Sequence, residues 1–243
     1  MPENLVIIVF AQAALFVALI LGLQHFGFIQ GLDWPIAIGV GVGFGMLMDL
    51  VLGAYGIFGY HPAGHASQAV NPRDLPLHVL LFNAFASYGL ASLSIATIAP
   101  HLVVSYRRTR NWSVRLGLVT TCGLLAVMIV PDRSVAMMFA WGIVIVGAGE
   151  LALYVGGKTG PVLAFVAAKN YWPLLRLVSF SATVGISYES TNLAFPFWEW
   201  LPGSPSSKTT LVALVALVGY VALFHPMAAL YVILTDRPPL QRD

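Results

Sequence analysis

Residues 39–62 read GVGVGFGMLMDLVLGAYGIFGYHP, an apolar run that is interrupted by a single acid, Asp49. A helix needs roughly 20 apolar residues to cross the hydrocarbon core of a bilayer, and this run continues an apolar segment that begins near residue 34. Its many glycines favour close packing of helices, because a residue without a side chain lets two backbones approach each other. The run therefore predicts a transmembrane helix over about 34–60 with a buried carboxyl.

The composition of the whole chain also indicates a membrane protein. Hydrophobic residues make up 58% of the 243 residues, charged residues make up 9%, and the mean hydropathy is +0.84, which leaves too little polar surface for a soluble domain. Continuous apolar runs favour helices over the alternating strands of a membrane barrel. We expect an all-α integral membrane protein, with a single domain over 1–243 that forms a bundle of seven transmembrane helices. The predicted helices cover about 4–28, 34–60, 77–104, 113–130, 134–155, 172–190 and 208–235.

The basic residues predict how this bundle is oriented. Cytoplasmic loops of membrane proteins retain Lys and Arg, and nine basic residues fall on one predicted side against three on the other. The larger group includes the run YRRTR at 106–110. The bias predicts an N-terminus outside the cell, a C-terminus in the cytoplasm, and a multi-pass location in the cell membrane. It also accounts for the net charge of +2 without a nucleic acid partner.

Several classes of function are excluded by missing residues. Cys122 is the only cysteine, so the chain forms no intramolecular disulfide and no cysteine metal cluster. No P-loop, HEXXH or GxSxG motif occurs. A retinal protein needs a lysine deep in its last helix, whereas Lys208 lies only at the entrance of the last predicted helix.

Histidines near the outer loop raise the question of a bound metal. His61 and His65 have the spacing that places two imidazoles on one face of a helix, and Asp74 and His78 follow. A proline and a glycine lie between the first two histidines, which disfavours a regular helix there. We therefore predict neither a metal nor another cofactor.

Five ionisable residues fall inside the predicted helices, where each is costly unless it is paired or faces a polar cavity. They are Asp49, Glu150, Arg176, Glu189 and His225. With a rise of about 1.5 Å per residue, Glu150 lies about 8 Å and Arg176 about 6 Å from the cytoplasmic helix ends. These matching depths predict a buried ion pair between the fifth and sixth helices. The alternative is that Arg176 binds an anion or a phosphate.

Asp49 and Glu189 form a second pair of matching depth, about 22 Å and about 25 Å from the cytoplasmic helix ends. If both side chains point into the bundle, they share a low-dielectric space that keeps at least one of them protonated near neutral pH. A protonated carboxylic acid in an apolar pocket is a Brønsted acid, so we expect both residues to be catalytic. The alternative is that each carboxyl hydrogen-bonds a neighbouring helix. Glu199, in the outer loop, is expected to be more exposed to water.

Aromatic residues accumulate at the outer ends of the second and sixth helices, for example in SYESTNLAFPFWEW at 187–200. Such residues usually form the interfacial belt of a membrane protein. The alternative is an aromatic pocket whose ring faces stabilise a carbocation. For His225, which precedes a proline, a hydrogen bond to a freed backbone carbonyl competes with a role as a proton relay. The predicted substrate-binding residues are Tyr55, Phe58, Tyr60, Asn83, Tyr188, Trp198 and His225.

Two segments carry a resemblance to a known family. DLVLGAYGIFGYHP at 49–62 and LPLHVLLFNAFASYG at 75–89, together with the seven spans and the isolated acids of helices two and six, resemble small membrane-bound terpenoid cyclases of meroterpenoid and indole-terpenoid pathways. The pattern is also similar to membrane carotenoid hydratases, in which an acid precedes a stretch of glycines and aromatics. The cyclase resemblance implies an all-helical fold, no cofactor, and an acidic residue that protonates a terminal alkene or epoxide of a prenylated substrate.

These arguments together predict an integral membrane terpene cyclase. Asp49 or Glu189 protonates the isoprenoid chain, the other carboxylate accepts the final proton, and aromatic side chains shape the chain and stabilise the cations. The expected partners are a lipophilic isoprenoid substrate and the lipid bilayer. Two alternatives are open: a small proton-coupled transporter or channel with a proton path through Asp49, Glu150 and His225, and a non-catalytic membrane assembly subunit.

Overall fold

The structure is a computed structural model of the chain, which divides into two compact units. The first unit contains Met1–Thr97 and Ser190–Ser204, and the second contains Ile98–Glu189 and Pro205–Asp243. The structure describes residues 18, 21, 22, 25, 32–61, 69–104, 110–132, 134–194, 197–200 and 215–235.

The first unit is built on helix α1, Trp34–Ala54. Asp33 caps its N-terminus by accepting a hydrogen bond from the backbone N–H of Ile36 at 3.2 Å. The helix ends because the chain turns at Gly56, whose φ of 63° is a conformation that glycine adopts without strain. The predicted helix over 34–60 is therefore wrong beyond Ala54.

The segment that follows α1 is a short strand. Strand β1, Phe58–Tyr60, pairs antiparallel with strand β2, Trp198–Trp200, which places Gly59 opposite Glu199. Both strands lie in segments where the sequence predicted the end of a transmembrane helix or a loop. Aromatic residues favour strands as well as membrane interfaces, and the pairing was not predicted.

A second helical segment of the first unit packs against α1. Helix α2, Leu77–Ala84, continues through a π-turn, Phe85–Gly89, into helix α3, Leu90–Ile98. A π-turn is wider than an α-helical turn because its hydrogen bonds span five residues instead of four. Before α2, the side-chain nitrogen of Asn71 donates to the carbonyl of Gly53 at 2.7 Å, which ties this loop to the end of α1.

In the structure, the third and sixth predicted helices end at other residues than the sequence predicted. The prediction of one helix over 77–104 is wrong at its end, since α3 is followed by a 3₁₀ turn, Ala99–His101. Val104 then exchanges backbone hydrogen bonds with Thr159 at 3.0 Å and 3.2 Å. The sixth helix, predicted over 172–190, is longer than expected and runs to Ala194.

The second unit consists mainly of helices. They are α4, Arg110–Ile129; α5, Val135–Val155; α6, Pro161–Ala168; α7, Trp172–Ala194; and α8, Tyr220–Leu234. Helices α4 and α5 pack together as a hairpin, α8 packs against α5, and residues 190–194 of α7 belong to the first unit. A second π-turn, Val215–Gly219, leads directly into α8. The short helix α6 was not predicted.

Four helical segments of the described residues are long and apolar enough to cross a membrane. They correspond to the second to fifth predicted helices, so the chain is mostly helical and of the expected all-α class. The first predicted helix and the beginning of the seventh lie largely outside the described residues, and the seven-helix bundle and its orientation stay predictions. The four segments are Trp34–Ala54, Leu77–His101, Asn111–Ile129 and Val135–Val155.

Candidate active site

Asp49 is a fully buried carboxyl in α1. Its Oδ1 accepts a hydrogen bond from the hydroxyl of Tyr88 at 2.7 Å, and its Oδ2 accepts one from the hydroxyl of Tyr60 at 2.5 Å. A carboxyl removed from water is costly unless protein groups satisfy its oxygens, and here two phenols do so. We refer to Asp49, Tyr60 and Tyr88 as the Asp49 site.

Tyr60 reaches Asp49 because the chain turns back after α1. Its backbone N–H and carbonyl pair with Val70 at 2.8 Å and 2.7 Å. The ring of Phe58 lies with its centroid 4.9 Å from that of Tyr60 and 5.0 Å from that of Trp200, so three aromatic rings are in contact. Burial and the neighbouring Asp49 carboxyl raise the pKa of the Tyr60 hydroxyl well above its ordinary value. Tyr60 therefore keeps its proton at neutral pH.

Tyr88 reaches Asp49 from the π-turn that separates α2 from α3. It packs against two glycines of α1 that are four residues apart. A Cβ atom on Gly41 would overlap the backbone carbonyl of Tyr88, and a Cβ atom on Gly45 would overlap its ring. This is the small-residue spacing that brings two membrane helices close together. The glycines thus make the space in which Tyr88 lies.

Replacing Gly45 by alanine is expected to displace Tyr88 and to lower the free energy of unfolding by about 1–3 kcal/mol, the usual cost of overpacking. Gly43 is the matched control, since a Cβ atom there meets nothing within 4 Å. Gly43→Ala should keep or raise the stability, because alanine favours a helix more than glycine does. Thermal unfolding in detergent measures both variants. Equal stability of the two would contradict the packing of Tyr88 against Gly45.

Glu189 is a second buried carboxyl, 2% exposed, on the part of α7 that belongs to the second unit. Its Oε1 accepts a hydrogen bond from the hydroxyl of Tyr220 at 3.0 Å. The ring of Tyr188 stacks on that of Tyr220, with the centroids 6.2 Å apart and the planes 16° from parallel. We refer to Glu189, Tyr188 and Tyr220 as the Glu189 site. That Asp49 and Glu189 share one space stays a prediction.

The Asp49 and Glu189 sites share a local arrangement. In each, a tyrosine at a π-turn hydrogen-bonds the buried acid: Tyr88 lies within the first π-turn, and Tyr220 directly follows the second. Short π segments inside helices occur frequently at functional sites. Both acids were predicted from the sequence as site residues, but these two tyrosines were not. A buried tyrosine hydroxyl usually has a hydrogen-bond partner, so a tyrosine in the middle of an apolar stretch was the available signal.

Three other predicted substrate-binding residues differ in their burial. Phe58 is buried in β1, whereas Tyr55 at the end of α1 and Asn83 in α2 are half-buried. Contact of these side chains with a substrate stays a prediction. Phe195, from the same aromatic stretch as Trp198, lies outside the described residues.

Trp198 is held by Asn192, a residue that the sequence did not single out. The Asn192 side-chain oxygen accepts the backbone N–H groups of Phe197 at 2.8 Å and of Trp198 at 3.1 Å. Its nitrogen donates to the carbonyl of Trp198 at 3.0 Å. One amide side chain thus fixes the backbone where the chain leaves α7 and enters β2.

The predicted ion pair between Glu150 and Arg176 is wrong. Glu150 Oε1 accepts the backbone N–H of Val162 at 2.8 Å, and Oε2 accepts that of Leu163 at 3.2 Å. These N–H groups belong to the first turn of α6, where they have no partner within the helix and where negative charge is favoured. Gly160 gives access, since a Cβ atom there would lie 2.5 Å from a Glu150 oxygen.

His225 supplies the other partner of Glu150. Its Nε2 lies 2.8 Å from Glu150 Oε1, and each of the two side chains is 1% exposed. The expected hydrogen bond of His225 to a freed carbonyl is replaced by this contact. A guanidinium nitrogen of Arg176 donates instead to the carbonyl of His101 at 3.4 Å.

The histidines of the outer loop give no metal cluster among the described residues, where no three potential ligands lie together. His61 Nε2 lies 3.4 Å from Glu199 Oε2, and His65 lies outside the described residues. The side chain of Glu199 is 18% exposed, compared with 2% for Glu189. Glu199 is thus the more exposed of these two acids.

The Asp49 site lies in the first unit and the Glu189 site in the second. Each combines a buried carboxyl, which can give or take a proton, with a phenol that can stabilise its charged form. Any assignment of function has to start from this chemistry, because no family model matches the chain and neither a curated protein nor a solved structure shows significant similarity to it.

Proposed function

We propose that the chain is an integral membrane enzyme that cyclises an isoprenoid chain by acid-initiated carbocation chemistry. The supporting observation is the Asp49 site, in which a carboxyl without exposure to water has both oxygens bound by phenol hydroxyls. As an acid, Asp49 donates its proton to a terminal alkene. Tyr60 and Tyr88 then stabilise the carboxylate that this transfer leaves behind.

The proposed reaction is an isomerisation in which atoms and electrons balance. The proton adds to the terminal alkene carbon, and the positive charge develops on the neighbouring tertiary carbon. The next double bond of the chain attacks this cation and closes a ring. The final cation loses a proton to a carboxylate, and proton exchange with water returns Asp49 to its protonated form for the next turnover. No oxidant, reductant or cofactor takes part.

The surroundings of Asp49 suit such intermediates. Carbocations have no hydrogen-bonding group, and aromatic ring faces stabilise positive charge. Tyr60 hydrogen-bonds the acid, its ring contacts that of Phe58, and the ring of Phe58 contacts that of Trp200. An isoprenoid chain also partitions into the bilayer, which agrees with an acid on a membrane-spanning helix. The Glu189 site, with the rings of Tyr188 and Tyr220, is the second candidate for the initiating acid.

Deuterium incorporation tests this function. Membranes that contain the chain are incubated in heavy water with geranylgeraniol, farnesol or a prenylated quinone, and the products are analysed by mass spectrometry. We expect a cyclic isomer that carries one non-exchangeable deuterium, because the acid exchanges with solvent before it protonates the alkene. Membranes without the chain are the control. A cyclic product without deuterium would contradict protonation of an alkene.

A proton-coupled transporter is the second candidate function. The buried pair of Glu150 and His225 favours it, because both groups can hold a proton inside the membrane. A transporter leaves its substrate chemically unchanged, so accumulation of unmodified isoprenoid with no isomer would support this candidate. For either function we propose a cell-membrane location with the N-terminus outside, in line with the nine-to-three distribution of basic residues.

A further inference from the structure

The second unit contains an apolar groove that neither Asp49 nor Glu189 lines. Its volume is about 570 Å³, within the range of roughly 300–1,000 Å³ that is usual for pockets of small molecules. Apart from one cation and one acid, every residue that lines it is apolar. We call it the α5 groove; its defining residues are Trp112, Arg115, Phe139, Gly142, Gly147 and Glu150, with aliphatic side chains between them.

Gly142 leaves part of the groove open, because α5 carries no side chain at this position. A Cβ atom on Gly142 would meet only the Cβ of Ala222, at 3.7 Å, which is an ordinary contact that leaves the space beyond it open. Gly147 lets α4 approach, since a Cβ atom there would lie 2.6 Å from Thr120 Oγ1. An open apolar space of this kind suits a hydrocarbon chain, because burial of each methylene group contributes about 0.8 kcal/mol.

The two charged residues of the groove have different roles. Glu150 is fully engaged by His225 and by the first turn of α6, so its charge is compensated within the protein. Arg115 is exposed, its guanidinium lies 4.7 Å from the centre of the Trp112 ring, and it has no acidic partner among the described residues. A guanidinium supported by an aromatic ring is suited to bind a carboxylate or a phosphate.

We propose that the α5 groove binds one hydrocarbon chain of a single-chain amphiphile, whose anionic head group pairs with Arg115. The chain lies along the apolar wall formed by Phe139, Gly142 and the neighbouring aliphatic side chains. We expect a single-chain amphiphile to bind more tightly than a two-chain phospholipid, because the volume of about 570 Å³ suits one chain. This proposal does not depend on cyclase activity, since no residue of the Asp49 or Glu189 site takes part.

Quenching of tryptophan fluorescence by brominated ligands tests the proposal on the purified full-length chain in detergent. The probes are dibromostearate, the neutral dibromostearyl alcohol and a dibrominated phosphatidylcholine. We expect saturable quenching by dibromostearate, because Trp112 lines the groove, and weaker binding of the other two. Trp112→Phe should remove the saturable part. Quenching that rises without saturation would show only general contact with lipid and would overturn the proposal.

Two variants test the groove and the head-group contact separately. Gly142→Leu places a side chain in the groove and should abolish saturable quenching, whereas Gly39→Leu, at a glycine with nothing within 4 Å, should not. Arg115→Gln changes an exposed residue and should leave folding intact. It should weaken dibromostearate binding by roughly tenfold or more and leave the alcohol unchanged, as expected for loss of a charge-assisted hydrogen bond. Unchanged dibromostearate binding in Arg115→Gln, or in folded Gly142→Leu, would refute the proposal.

Discussion

Replacing Asp49 by asparagine is expected to lower the rate of isoprenoid cyclisation by roughly 10²–10⁴-fold, the usual contribution of a general acid. The amide has nearly the same shape as the carboxyl and still accepts hydrogen bonds from Tyr60 or Tyr88. It has no proton that it can transfer to an alkene, so the substitution separates acid chemistry from packing. The rate of deuterium-labelled product formation measures the effect, and an unchanged unfolding temperature confirms that the protein is folded.

Amide substitutions at the other acids serve as comparisons. Glu189→Gln is expected to lower turnover by a similar factor, because Glu189 is the second buried carboxyl with a phenol partner. Glu199→Gln should change the rate little, since Glu199 is more exposed and lies beside His61 in the outer loop. Near-normal turnover in both Asp49→Asn and Glu189→Gln would rule out the cyclase mechanism and favour a transporter or an assembly subunit.

Replacing Glu150 by leucine is expected to lower the free energy of unfolding by about 3–5 kcal/mol, because each buried polar group that loses its hydrogen-bond partner costs about 1–3 kcal/mol. The change leaves the backbone N–H groups of Val162 and Leu163 and the ring nitrogen of His225 buried without their acceptor. Glu150→Gln should be milder because it keeps one acceptor oxygen. Denaturant or thermal unfolding in detergent measures the difference.

Arg176→Gln is the control for this prediction. Among the described residues, the guanidinium of Arg176 makes one long hydrogen bond, 3.4 Å, to a backbone carbonyl, so its loss should change the unfolding temperature little. A destabilisation as large as that of Glu150→Leu would mean that the two residues are coupled. In that case the contacts of Glu150 with α6 would not account for its burial.

The apolar helices could be predicted from the sequence because hydropathy and length report directly on insertion into a membrane. Their ends could not, since they depend on single backbone conformations. The second predicted helix stops at Ala54 because Gly56 adopts a positive φ, and a glycine-rich stretch does not reveal which glycine will do so. The π-turns were missed for a similar reason, because they change the helical period over only a few residues.

The site residues, too, could be predicted from the sequence only in part. Depth along a helix, estimated from the rise per residue, pointed to Asp49 and Glu189, which are both buried. Depth gives no direction around the helix axis, however, and this is why it paired Glu150 with Arg176. Glu150 instead contacts His225 and the short helix α6, whose eight residues, a proline followed by seven apolar residues, carry too weak a periodic signal to be recognised.

The π-turn at Phe85–Gly89 makes the contact between Tyr88 and Asp49 depend on the number of residues in the helix as well as on their identity. Deletion of one residue there would restore α-helical winding and remove the wider turn from which Tyr88 reaches Asp49. The hydropathy of the segment would hardly change, so the shortened chain would still partition into a bilayer. Membrane insertion and the proposed proton chemistry are thus encoded separately in this segment. The first tolerates a change in length, whereas the second requires the additional residue.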